Sequence, residues 1–352
     1  MMSYNAKILL LTCVLFFLII ISLIWWFEYK ILFFPSQDIN WFPQIPFKQI
    51  FLGLDSKPIG VYESKEMLPQ VSDGSSEFVA SSMSSEPNTS WTRIPANVLE
   101  KLKLKPIQDK ISVWYFNFSG KEDDKTILFC HGNNANISYR KYVIDLCNFL
   151  SVNLFLFDYR GYGKSTGIPS PGSICADGMI AYNYLRTFCS PQNIYLWGES
   201  LGGAAAVHIA SQAVCARLIY MCTFSSLDDI VVTKQSVQRW IGIALSTVVK
   251  TICDVLPSST KISGVTCPIV VIHSTDDEII PFECALKLYS SISHDDKLFL
   301  KIRGEHSSPE ITQEQMFDLV RFCGFSQNVR KSQNGFLEDW LDKLKNNVFE
   351  QV

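Results

Sequence analysis

The residues Gly198-Glu199-Ser200-Leu201-Gly202 lie directly after the apolar run NIYLW and directly before the helix-like segment LGGAAAVHIA. This is a G-x-S-x-G pattern in the strand–turn–helix setting that a nucleophile elbow requires. Glycines on both sides suit such a turn, because strand and helix approach too closely for a Cβ. The turn lifts the serine oxygen clear of the sheet, and the N-terminus of the following helix favours a developing negative charge. The plain alternative is a glycine-rich turn that only packs a helix on a strand.

Three further turns carry matching chemistry. Cys130-His131-Gly132-Asn133-Asn134 follows TILFC, and a loop there can set a backbone N–H opposite that of Leu201. Two such donors, with Asn133 the expected partner of Leu201, would bind the oxygen of a tetrahedral intermediate. Thr275-Asp276-Asp277-Glu278 follows PIVVIHS, and a carboxylate there can hold an imidazole in one tautomer. Its three adjacent acids leave that role open among them. Gly304-Glu305-His306 follows KLFLKI. Of the five histidines, His208 falls within a helix, His294 sits in a polar turn and reads as solvated, and His273 ends a strand. His131 belongs to the glycine loop, so His306 is the expected general base.

The elements that would position these turns are legible from residue 111 onward. Short apolar runs (ISVWYFNF, TILFC, VNLFLFDY, NIYLWG, ARLIYMCTF, PIVVIHS, KLFLKI) alternate with helical segments near 139–150, 176–187, 201–213 and 283–291. Strands apolar on both faces and separated by helices indicate an α/β fold with a mostly parallel sheet covered on both sides. Ligands in such sheets bind beyond the carboxyl ends of the strands, where all four turns lie. A helix-rich stretch at about 225–266 interrupts the alternation and reads as a small cap. Residues 331–352 read as a C-terminal helix. Before the alternating region, Gln49–Val61 reads as a strand within a connecting segment of residues 31–110. The serine-rich stretch 71–90 in that segment reads as an exposed loop. No internal repeat is present.

The first landmark is Ile8–Phe27, which contains no charged residue. At about 1.5 Å per residue, it matches a hydrocarbon core roughly 30 Å thick. Trp25 and Trp26 fall at the interfacial position, with Lys7 and Lys30 on the flanks. Residues 1–30 therefore read as a single-pass anchor, and nothing after them resembles the small-residue cleavage site of a signal peptide. Lys7 and the amino terminus favour a cytosolic N-terminus. The 11 cysteines are scattered, without metal-site spacing, and favour a reducing surrounding instead. Sequons at Asn88, Asn117 and Asn136 do not decide the side. A net charge of −3 without a basic run argues against a nucleic-acid partner.

The stretch 127–306 resembles the α/β-hydrolase superfamily, and is especially similar to ABHD-type hydrolases with an N-terminal transmembrane helix. The resemblance rests on HGNNANIS at 131–138, FDYRGYGKSTGIPS at 157–170, GESLGG at 198–203, HSTDDEIIP at 273–281 and GEH at 304–306. FFPSQ at 33–37 also resembles the start of the soluble part of such proteins. It implies a catalytic domain over 111–330, with Ser200, Asp277 and His306 as a triad and no metal or organic cofactor. Position in the family pattern selects Asp277 over Asp276. Ser274 stands where the family has glycine, and Glu305 where a small residue is commoner. The implied activity is hydrolysis of carboxylic esters or thioesters, of lipid or acylated substrates near a membrane, through an acyl-enzyme. A serine peptidase on the same fold is one alternative. A catalytically silent binding module tethered to the bilayer is the other.

Overall fold

The computed structural model describes residues 33–63, 109–226, 256, 258–325 and 334–345. The expected anchor at 1–30, the stretch 71–90 and residues 227–255, which hold most of the expected cap, lie outside the described residues. Among the described residues no helix is long and apolar enough to cross a membrane.

The described residues begin with β1 (Phe34–Pro35), β2 (Lys48–Gly53), β3 (Pro58–Glu63), β4 (Lys110–Phe116), β5 (Thr126–Cys130) and β6 (Asn134–Ala135). Helix α1 (Lys141–Leu150), β7 (Asn153–Phe157), α2 (Pro171–Leu185), β8 (Ile194–Glu199), α3 (Gly202–Ala210) and β9 (Arg217–Met221) follow. The chain continues with α4 (Ser258–Ile262), β10 (Ile269–Ser274), α5 (Phe282–Ser291) and β11 (Lys297–Gly304). Last come β12 (Pro309–Glu310), α6 (Gln313–Cys323) and α7 (Asn334–Lys345).

Ten strands form one sheet in the order β12-β11-β10-β9-β8-β5-β7-β4-β2-β3. Neighbours from β7 to β11 pair in parallel, whereas β4, β2, β3 and β12 pair antiparallel at the two edges. Every residue of β5, β7 and β10 is buried, as expected for strands covered on both faces. Alternate residues serve two cores. Leu128, Leu196 and Tyr220 pack with α2, α3 and α5 on one face. Ile127, Phe129 and Trp197 pack with α1, α6 and α7 on the other.

Local sequence accounts for the departures from expectation. Gln49–Val61 folds as two strands, β2 and β3, rather than one. Asp55 and Ser56 make the turn: Ser56 has φ 63°, its N–H donates to Gly53 C=O (3.0 Å), and the Asp55 carboxylate accepts from Lys57 N–H (3.2 Å). Helix α2 begins five residues before the expected 176, because Ser170 and Ser173 form a reciprocal capping box with Pro171 at the first turn. Helix α7 occupies the expected C-terminal region and is pinned where Trp340 Nε1–H donates to Tyr142 C=O (2.9 Å). His294, expected to be solvated, has both ring nitrogens buried and without a hydrogen-bond partner among the described residues.

The junction of β8 and α3 is the tightest place in the sheet. A Cβ on Gly198 would lie 2.6 Å from Gly203 Cα, and one on Gly202 would lie 1.9 Å from the Cys130 carbonyl oxygen. One on Gly203 would lie 2.1 Å from Thr223 Oγ1. The Gly202 obstruction is backbone and has no rotamer by which to yield. Gly202→Ala should therefore lower stability by about 3 kcal/mol or more in urea unfolding. Gly172→Ala, at a position with nothing within 4 Å, should stay within about 0.5 kcal/mol of the parent. Equal stability of the two variants would contradict this packing.

Candidate active site

Ser200 sits between β8 and α3 with a left-handed φ of 50°, unusual for a residue bearing a Cβ. Its N–H donates to Met221 C=O (3.0 Å), extending the β8–β9 ladder by one bond. Its C=O accepts from Thr223 Oγ1–H (2.6 Å) and Gly203 N–H (3.1 Å). The backbone is thus held on both sides while the hydroxyl projects beyond the strand.

Ser200 Oγ lies 3.0 Å from His306 Nε2, and His306 Nδ1 lies 2.7 Å from Asp277 Oδ2. The other Asp277 oxygen accepts the N–H groups of Ile279 (2.9 Å) and Ile280 (2.7 Å). The buried His273 ring stands 3.6 Å from Asp277 Oδ2. Geometry thus separates the three adjacent acids. Asp276 faces outward to Arg303 (2.8 Å), and Glu278 Oε2 accepts the His306 backbone N–H (2.9 Å).

The two departures from the family pattern have structural reasons. The Ser274 hydroxyl donates to Gly304 C=O and accepts from Asp276 N–H (3.0 Å), tying the acid loop to the histidine loop. Glu305 is exposed, so its length meets no obstruction.

On the other side of Ser200, the His131–Asn134 loop comes close. A Cβ on Gly132 would lie 3.4 Å from Ser200 Cβ. Among the described residues, the backbone N–H groups of Asn133 and Leu201 have no protein acceptor. The Asn133 side chain is fixed, its Oδ1 accepting from Tyr162 OH (2.9 Å) and Phe34 N–H (3.2 Å). Asn136 is fully buried, its Nδ2 donating to Ser36 C=O (3.0 Å) and Asp38 C=O (2.7 Å), so this sequon is closed to a glycan in the folded chain.

Sequence reasoning missed the buried support beneath this loop. Arg140, 3 % exposed, donates from Nη2 to Asn134 C=O (2.7 Å), with its Nε 3.7 Å from Glu199 Oε2. Glu199 also accepts from Tyr142 OH (2.6 Å). Arg140 thereby spans the glycine loop and the β8–α3 turn. The only hint in the sequence is Glu199, an acid at the variable position of the G-x-S-x-G turn. His131 is fully buried, and burial, aided by the Arg140 charge, lowers its pKa to about 3; it stays neutral and closed to substrate.

A family model described as alpha/beta hydrolase fold matches residues 125–246. A solved structure, an alpha-beta hydrolase from Vibrio vulnificus, superposes with a TM-score of 0.51 at 18 % identity, covering 65 % of this chain and 88 % of that one. The chain has the α/β-hydrolase fold. It is 38 % identical over 168 residues to the human alpha/beta hydrolase domain-containing protein 17C, covering 47 % of each. An uncharacterized protein of Mycobacterium tuberculosis is 29 % identical over 216 residues, covering 60 % of this chain and 74 % of that relative. The chain spans about half the length of the protein 17C relatives it matches.

Within this α/β-hydrolase fold the site is electrostatically one-sided. Burial alone would lower the His306 pKa, but the hydrogen bond and charge of Asp277, with the charges of Glu199 and Glu278, raise it above its ordinary 6.5. A base must be neutral to accept a proton, so activity should be lost as pH falls through this raised value. The acid limb of kcat/KM should therefore have its midpoint above 6.5, and Glu278→Gln should move it downward. A pH–rate profile checks both, and a midpoint below 6.5 or an upward shift would contradict the arrangement.

Proposed function

We propose that this chain is a serine hydrolase cleaving carboxylic ester or thioester bonds of lipid or acylated substrates, at a membrane to which residues 1–30 anchor it. The observation that carries the reading is the continuous relay from Ser200 Oγ through both His306 nitrogens to Asp277, at 3.0 and 2.7 Å.

In this reading, His306 Nε2 removes the Ser200 proton as Oγ attacks the acyl carbon. Asp277 holds Nδ1–H and stabilises the imidazolium. The amides of Leu201 and Asn133 receive the oxyanion, with the α3 N-terminus behind them. His306 then protonates the departing alkoxide or thiolate. Water, deprotonated by His306 in turn, attacks the acyl-enzyme and releases the acid. The steps draw on the side chains of Ser200, His306 and Asp277, the backbone amides of Leu201 and Asn133, and water as the second substrate. The membrane part of the proposal is supported by the uncharged 20-residue run Ile8–Phe27.

Turnover of a p-nitrophenyl ester and of an acyl thioester by the purified full chain tests the reading. Ser200→Ala should lower kcat by at least about a thousandfold with the fold intact. An unchanged kcat would rule out Ser200 as the nucleophile.

A further inference from the structure

The residues that follow the expected anchor are built into the wall of the candidate site. Phe33 is buried in the core, and β1 immediately after it pairs in parallel with β6, Phe34 against Asn134 and Pro35 against Ala135. Phe34 N–H reaches Asn133 Oδ1, and Ser36 C=O accepts from both Asn136 Nδ2 and Gly163 N–H (2.8 Å). Asn40 N–H donates to Ser138 Oγ (3.0 Å). This seam runs along the loop that carries one of the two candidate oxyanion donors.

The distance back to the bilayer is short. Five residues, 28–32, separate Phe27 from Phe33. Even fully extended, that connection spans only about 20 Å. The surface beside the seam has the composition of a membrane–water boundary. The Phe34 side chain is 55 % exposed, and Ile279, in the acid loop, is 44 % exposed. Half-buried Trp41 and Phe42 lie on the seam, with the Lys141 ammonium 5.7 Å from the first ring and that of Lys164 4.8 Å from the second. Aromatic rings faced by lysine ammonium groups suit the headgroup level, where amphipathic rings and cations gather.

We infer that the site takes its acyl substrate directly from the bilayer that holds this chain's own anchor, the short tether and the β1–β6 seam keeping the oxyanion loop against the membrane surface. The substrate class is then a long-chain acyl ester or thioester whose chain stays in the lipid while its carbonyl reaches Ser200. This inference rests on the hydrolase and anchor readings above, and goes beyond them in fixing where the acyl chain comes from.

The test lengthens the tether without touching the site. A Gly-Ser spacer of about twenty residues is inserted between Lys30 and Ile31 of the full chain. Both proteins are reconstituted in phosphatidylcholine vesicles. Each is assayed with p-nitrophenyl acetate in the water and p-nitrophenyl palmitate in the same vesicles, two esters with one leaving group. A fivefold longer tether dilutes the domain at its own membrane by about tenfold, from the −3/2 power of length. The spacer should lower palmitate turnover by about tenfold and leave acetate turnover unchanged. A photoreactive diazirine phosphatidylcholine should label the peptide spanning 33–42 in the parent and label it less in the spaced chain. Equal palmitate rates, or both esters falling together, would overturn the inference alone. Absence of hydrolysis of either ester by the parent would overturn the hydrolase reading and this inference with it.

Discussion

The approach of α3 to the ends of β5 and β8 is the constraint on which the site depends. Side chains at 198, 202 and 203 would occupy space held by backbone or by Thr223, so only glycine fits there. With the strand and helix so close, the connecting residue must take a left-handed backbone. That residue is Ser200, at φ 50°. The conformation costs of order 1–3 kcal/mol, and the surrounding ladder and helix bonds offset it. Among the described residues, the same turn leaves the Leu201 amide, at the start of α3, without a protein acceptor. The strain and the exposed hydroxyl are therefore two consequences of one packing decision.

Around this turn the fold divides its electrostatic tasks. Carboxylates of Asp277, Glu278 and Glu199 bracket His306 and favour its cationic form, the form it would take on accepting a proton from Ser200. On the other side lie the amides of the glycine loop, with the buried Arg140 guanidinium beneath them. Negative charge is thus gathered where positive charge develops, and donors where negative charge develops. Ser274 contributes by joining the acid and histidine loops, which come from different strands and would otherwise be positioned separately.

The parallel sheet was legible because β5, β7, β8 and β10 are apolar at nearly every position, a pattern that follows from two-sided burial. Ser200 was legible because it follows such a strand in a glycine-marked turn; His306 follows β11, a half-exposed strand that alternates Lys297, Lys301 and Arg303 with apolar residues, and was marked by Gly304. Asp277 needed a family pattern, since composition does not distinguish three consecutive acids. The fold does so by giving Asp276 and Glu278 different partners. Arg140 and Tyr142 carried no local signal; they matter because α1 begins beside the β8–α3 turn, a long-range fact that no window of sequence contains. The seam between residues 34–40 and the glycine loop is non-local in the same way, bridging about a hundred positions. The β2–β3 hairpin was missed for the opposite reason, a local turn hidden inside an apparently continuous alternation.

The proposed function requires Ser200 to be an activated nucleophile. The most direct measurement is to treat the detergent-solubilised full chain with a fluorophosphonate, digest it, and map the phosphonylated residue by mass spectrometry. One adduct is expected, on the peptide carrying Ser200, and it should be lost in His306→Ala. Modification of another residue, or an unlabelled Ser200 in folded protein, would contradict it.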